Sequence, residues 1–121
     1  MDTRHLGQYG EEQAVHFLRR KGYRIVERNF RCRQGEIDII ARRRTILAFV
    51  EVKLRRDDRF AAAREFVTSA KQRRILAAAS LYLAQCGEDL QPRFDVIEVY
   101  APEGTKTLFP EIHHLENAFS V

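Results

Sequence analysis

The run "EIDIIARRRTILAFVEVK", Glu36 to Lys53, holds two apolar stretches that read as β-strands joined by arginines. Each stretch carries acids among its Ile, Val and Phe: Glu36 and Asp38 in the first, Glu51 in the second. Burying an unpaired charge is costly, so these acids need a reason. The connection between the stretches is short, which makes an antiparallel hairpin the economical reading. With the turn centred on Arg44 and Thr45, Asp38 falls opposite Glu51. Directly opposed residues have Cβ atoms about 4.5–5.5 Å apart. Side chains alternate along a strand, so Glu51 and Lys53 share a face.

Two carboxylates at that separation repel strongly in a half-buried sheet. A divalent cation removes the repulsion. Mg²⁺ takes one or two carboxylates, keeps several waters and accepts phosphate oxygens. Mn²⁺ serves equally in this reading. Lys53 then lies beside the metal-activated water, where an amine can hold a phosphate, help take a proton or stabilise developing charge. The alternative is a buried salt-bridge cluster of Asp38, Glu51 and Lys53. That alternative suffices for any one of the three. The whole set, at the end of a hairpin in a basic protein, is a more specific signal.

Outward from the hairpin, residues Gly7 to Lys21 show helical periodicity, with Gly22 able to cap the end. Glu11 lies on the stripe of Ala14 and Leu18. Tyr23 to Phe30 alternates like a strand, although Val26 breaks the pattern, and Arg31 to Gly35 reads as a polar turn. Leu54 to Phe66 is charged and Ala-rich and reads as a loop. A second helix follows, N-capped by Thr68 or Ser69 and ended by Gly87, with Ile75, Ala78, Ala79, Tyr82 and Leu83 as its packing stripe. Pro92 to Pro102 reads as a strand, and the tail after it as an edge strand or docked extension. The order is helix, three strands, helix, strand, within one domain over residues 1–121. This is an α/β fold with a mixed sheet, the helical crossover letting the last strand run parallel to one of the hairpin.

Composition narrows the function classes. Cys32 and Cys86 have no CxxC spacing and give neither a disulfide framework nor a zinc site. The N-terminus lacks the apolar core of a signal peptide, and the longest apolar stretch, Ile75 to Ala84, is far short of the roughly 20 residues that span a bilayer. A cytoplasmic, soluble protein without membrane attachment is the expectation. The net charge of +4 hides an asymmetry. Residues 19–74 hold 18 Lys/Arg against 7 Asp/Glu, and 17 of the chain's 21 basic residues are arginine. Arginine's planar fork matches phosphate oxygens, so a nucleic acid is the partner this zone suggests.

The whole chain resembles the YraN family of small bacterial proteins, and the acid–acid–lysine pattern resembles the PD-(D/E)xK nuclease superfamily. The resemblance rests on "GEEQAVHFLRRKGYRIVERNFR" (Gly10 to Arg31), "GEIDIIA", "FVEVKLR", "VTSAKQRRILAAASLYL" (Val67 to Leu83) and "RFDVIEV" (Arg93 to Val99). It implies a restriction-endonuclease-like αβββαβ core, similar to that of Holliday junction resolvases, and a Mg²⁺- or Mn²⁺-dependent endonuclease acting on DNA. It further implies that Asp38, Glu51 and the Val52 carbonyl bind metal, that Lys53 is catalytic, and that Glu11 corresponds to an N-terminal acid completing the site. The sequence departs from the family in having Phe60-Ala61 where Phe-Gly is common, and in the basic tip Arg42 to Arg44.

Further candidates are weaker. Arg55 and Arg56, just past the catalytic strand, and Lys71 and Arg74, in the first turns of the second helix, are expected phosphate contacts. Glu36 is expected to pair with an arginine, and so is Asp95. His113 and His114 look like a ligand pair, but neighbours on a strand face opposite ways. Because paired cuts at a junction need two sites, a homodimer is an expectation, using Leu108, Phe109, Ile112 and Phe119. It stands against a monomer whose tail covers its own sheet edge. Two other readings remain: a nucleic-acid-binding module without catalysis, and an interaction protein with structural salt bridges.

Overall fold

The hairpin closes in the expected register. Arg43 pairs with Ile46 and Ile39 with Val50, leaving Arg44 and Thr45 as the turn. Arg44 takes a left-handed conformation, φ 59°, which short strand connections commonly need. The computed structural model describes residues 3–56 and 67–119. Its order is α1 (Thr3–Arg20), β1 (Arg24–Arg31), β2 (Glu36–Arg43), β3 (Ile46–Arg55), α2 (Ser69–Cys86), β4 (Gln91–Tyr100) and β5 (Glu111–Phe119). The strands lie in the order β1-β2-β3-β4-β5 in one five-stranded sheet. All neighbours are antiparallel except β3 and β4, which α2 connects in parallel.

Alternation along β3 builds a core on each side of the sheet. Ala48 and Val50 join Ala14, Val15 and Leu18 of α1, while Leu47 and Phe49 join Ile75, Ala78 and Ala79 of α2. The helix ends follow their sequence signals. Gly22 (φ 92°) follows α1, Thr68 accepts from the Lys71 amide to cap α2, and Gly87 (φ 72°) closes it. Two boundaries differ from the sequence reading. Helix α1 begins at Thr3, before both of its glycines, because its packing does not depend on their weak propensity. Strand β3 runs on to Arg55 because β4 pairs with it that far, so Leu54 and Arg55 are strand and not loop. The rest of the expected loop, including Phe60-Ala61, lies in residues 57–66, outside the described residues.

The tail is a nine-residue edge strand, β5. It is anchored by Asp95, which is fully buried. Arg93 donates to both carboxylate oxygens at 2.9 and 2.8 Å, His114 Nε2 donates at 2.8 Å and the Asn117 amide at 3.0 Å. His114 Nδ1 in turn accepts from Lys21 at the end of α1, at 2.8 Å. Asp95 thus anchors an arginine, as expected, and His113 and His114 do face opposite ways: His113 lies 5.1 Å from the Tyr100 ring on the other face. Two of the four residues offered for a dimer surface turn inward. Ile112 packs against the α1 core, and Phe119 stacks on Phe94 at 5.4 Å. Only Leu108 (83 % exposed) and Phe109 (92 % exposed) stay out, because burying its apolar face on its own sheet satisfies the tail.

Candidate metal and phosphate site

Ile37 and Ile39 are two apart, yet they belong to cores on opposite sides of the sheet. The strand therefore turns over at Asp38. Its partner strand does the same. Arg28 pairs with Ile39 and Phe30 with Ile37, so the residue facing Asp38 is Asn29, which is left-handed at φ 53°. Asparagine tolerates that conformation where a β-branched residue would not. The β2–β3 ladder ends at the same place: its last pair is Ile39–Val50. Beyond it the Val52 amide donates to Asp38 Oδ2 at 2.8 Å, so a carboxylate replaces the backbone partner. The hairpin arms separate here, and Asp38 occupies the fork.

Two hollows meet at Asp38. One, about 530 Å³, is lined by Arg31, Glu36, Asp38, Glu51, Lys71 and Arg74 among others. The second, about 440 Å³, is lined by Gly10, Glu11, Asn29, Asp38, Val52 and Leu54 among others. Glu51 is buried at 5 % exposure. Its Oε1 lies 3.5 Å from Lys53 Nζ and is hydrogen-bonded by Lys71 Nζ. Glu11 sits across the fork, accepting from Arg28 Nε at 3.1 Å and from Asn29 Nδ2 at 2.9 Å.

Charge is concentrated accordingly. Burial and the neighbouring Glu51 carboxylate, with a smaller push from Glu11, raise Asp38 from 3.8 to about 7, against the opposing Val52 amide and Lys71. Burial lowers the Lys53 ammonium, and Lys71 beside it adds to that, although Glu51 opposes. Burial would also lower Lys71, but its bond to Glu51 and the charges of Glu51 and Asp38 outweigh this and raise it.

The fork thus brings together Asp38, Glu51, Val52 and Lys53, with Glu11 on its far side and Lys71 and Arg74 on the wall. Arg55 is placed elsewhere: its side chain is 19 % exposed and its Nε lies 4.0 Å from buried Glu98. Arg56 is exposed just beyond the strand and lines neither hollow. Glu36 pairs with Arg31 at 3.7 Å. Among the described residues no group of three or more His, Cys, Asp or Glu could hold a metal ion. Asp38 and Glu51 set two carboxylates on one hollow. Hard oxygens in that number suit Mg²⁺, which completes its shell with water. Sequence reasoning missed Asn29, whose signal was an asparagine in mid-strand. It also gave Lys71 only as a phosphate contact and not as a partner of Glu51, since a lysine reaching from a helix onto a strand has no sequence signature.

Gly35 sets the width of the larger hollow. A Cβ there would stand 2.9 Å from the Arg74 carbonyl oxygen, so the β1–β2 connection touches the backbone of α2. Gly35→Ala must part the two, at a cost on the order of 1–3 kcal/mol. A lower thermal midpoint than wild type checks this, and an unchanged one refutes it.

A profile described as "Uncharacterised protein family UPF0102" matches residues 10–99. The chain is 52% identical over 104 residues to a UPF0102 protein of Symbiobacterium thermophilum, covering 84% of this chain and 88% of that one. It is 43% identical over 120 residues to one of Caldicellulosiruptor saccharolyticus, covering 98% and 100%. With one of Nocardia farcinica the identity is 48% over 119 residues, covering 98% and 91%. No helix among the described residues is long and apolar enough to cross a membrane.

Proposed function

The chain belongs to the uncharacterised protein family UPF0102, and on that premise we propose that it is a metal-dependent endonuclease hydrolysing phosphodiester bonds in DNA, with branched or flapped structures as its substrates. In this reading the sheet and its two helices are a restriction-endonuclease-like core of the PD-(D/E)xK kind, and the protein works in the cytoplasm. One observation carries the proposal: Asp38, Glu51 and Lys71 converge at the fork of the hairpin in a hollow walled by Arg31 and Arg74, and Lys53 stands 3.5 Å from Glu51 behind it.

Asp38, Glu51 and the Val52 carbonyl would hold Mg²⁺ or Mn²⁺. When bound, the ion polarises a phosphoryl oxygen and lowers the pKa of a water. The protein's own groups supply the rest. Lys53 is held next to Glu51 with a lowered pKa, which suits an amine that exchanges a proton with the attacking water. Arg31 and Arg74 offer planar forks to the phosphates on either side. Glu11, fixed by Arg28 and Asn29, sets a third carboxylate facing the fork from the α1 side.

The test is a cleavage screen with Mn²⁺ over duplex, flap, fork, four-way junction and single strand. Metal-dependent nicking that Lys53→Met abolishes is the expected result; no cleavage of any of them, with DNA still bound, selects the non-catalytic binding module. That second reading draws on the cation partners the acids already have: Arg28 on Glu11, Lys71 on Glu51. Binding should in either case be salt-dependent. Arginine–phosphate contacts release counterions, so the logarithm of affinity falls linearly with the logarithm of salt. Arg74→Met should flatten that slope by about one unit; an unchanged slope would remove Arg74 from the interface.

A further inference from the structure

We propose that Lys71 is the resident counter-cation of the acidic pair, and that metal entry and Lys71 departure are one exchange. The inference rests on the reading of Asp38 and Glu51 as metal ligands. Glu51 is 5 % exposed and cannot rely on water to offset its charge. One of its two carboxylate oxygens, Oε1, is held by Lys71 Nζ. Asp38 feels the same ammonium, whose charge opposes the rise in its pKa. A dication brought onto Glu51 beside the Lys71 ammonium would be repelled by it at close range, so the two compete for the same carboxylate.

The two lysines on Glu51 are not equivalent. Lys53 belongs to the sheet, at 21 % side-chain exposure. Lys71 stands on the first turn of α2 at 41 % exposure, on a helix start already secured by Thr68. Its side chain can swing away without disturbing the backbone. It then remains tethered beside Arg74, on the wall where a phosphate would lie. The same residue therefore opposes metal binding when alone and gains a new partner when a polyanion arrives. A phosphate that draws Lys71 off Glu51 frees a ligand for the metal, so each should strengthen the binding of the other.

The experiment is Mn²⁺ calorimetry on wild type, Lys71→Met, Arg74→Met and Asp38→Asn, without nucleic acid. If the pair is formed nine-tenths of the time, its removal tightens Mn²⁺ about tenfold. Arg74→Met, which removes a charge from the same wall but no bond to Glu51, should change affinity far less. A Lys71→Met affinity equal to or weaker than wild type overturns the exchange. So does an equal gain in Arg74→Met, which would mean a general field effect. If wild type binds Mn²⁺ and Asp38→Asn binds it equally well, the metal-site reading itself fails. If no variant binds, the reading and the exchange fall together. Should Lys71→Met not fold, NMR of the ¹³C-methylated wild type decides: the Lys71 signal must shift on Mg²⁺ addition, and a Lys71 signal that stays fixed while metal binds overturns the exchange.

Discussion

Asp38→Asn will lose Mn²⁺ binding and cleavage, yet in metal-free buffer it will melt no lower than wild type. Loss of a partner that only orients a metal ligand costs 10–100-fold, so removing a ligand should cost at least about 100-fold in metal affinity and rate. The stability half follows from the fork. Burial and Glu51 hold Asp38 at about 7 against an ordinary 3.8. A folded-state pKa above the unfolded value means that the folded protein binds the proton more tightly. Stability from this group is therefore fully present below about pH 4 and lost as pH rises through about 7. Above pH 7 the ionised carboxylate costs the metal-free fold on the order of 2–4 kcal/mol. Asparagine carries no such charge, and its amide oxygen can still accept from Val52. Melting curves from pH 4 to 8 in chelator should thus fall for wild type and flatten for Asp38→Asn. A midpoint well below wild type at pH 8 would make Asp38 a structural ion-pair partner and sink the metal reading.

Asp95→Ala should do the opposite. Asp95 is as buried as any core residue, but its charge is answered on every side. Burial alone would raise its pKa; the bonds from His114, Arg93 and the Asn117 amide outweigh this and hold it below the usual carboxylate range. Truncation leaves Arg93, 13 % exposed, and His114, 2 % exposed, facing a void. Breaking a buried pair from one side costs about 3–5 kcal/mol, a large part of the roughly 5–15 kcal/mol that holds a domain together. A fall in midpoint of roughly 10–25 °C is expected. The pH dependence is also inverted: a depressed pKa stabilises above pH 4 and that stability is lost on acidification below it. A fall of only a few degrees would mean that β5 is held by its apolar contacts and not by this network.

The contrast between these two acids marks what the sequence could and could not say. The hairpin was legible because two apolar runs are joined by a short basic link, but its register followed only from taking the turn at Arg44 and Thr45, since Leu47, Ala48, Phe49 and Val50 are apolar on both faces and fix none. From that register Asp38, Glu51 and Lys53 followed at once, and the α2 stripe followed from its 3.6-residue period. What escaped was the side-chain contacts between elements far apart in the chain. Lys71 reaches Glu51 from a helix, and Arg55 turns onto Glu98 from the neighbouring strand, because side-chain direction at a strand end depends on which strand lies beside it. Val26 broke the alternation of β1 for a local reason, a register shift between Ile25 and Glu27. Such a bulge adds a residue without changing composition, so it shows in the sequence only as an irregularity.

Asn29 has a counterpart. Asn117 in β5 has the same φ of 53°, and β1 and β5 are the two outer strands of the sheet. A straight outer strand is a template on which another chain can add by backbone hydrogen bonding, and proteins blunt that hazard with bends and charges. Here each rim is bent once by a left-handed asparagine, and β1 adds Arg24, Glu27, Arg28 and Arg31 along its length. Both rims are thus interrupted within their length, which works against a second sheet continuing from them. The protein should therefore tolerate high concentration without fibril growth. Pairing of two copies is then expected through a face or the exposed Leu108–Phe109 knuckle rather than by joining two sheets into one.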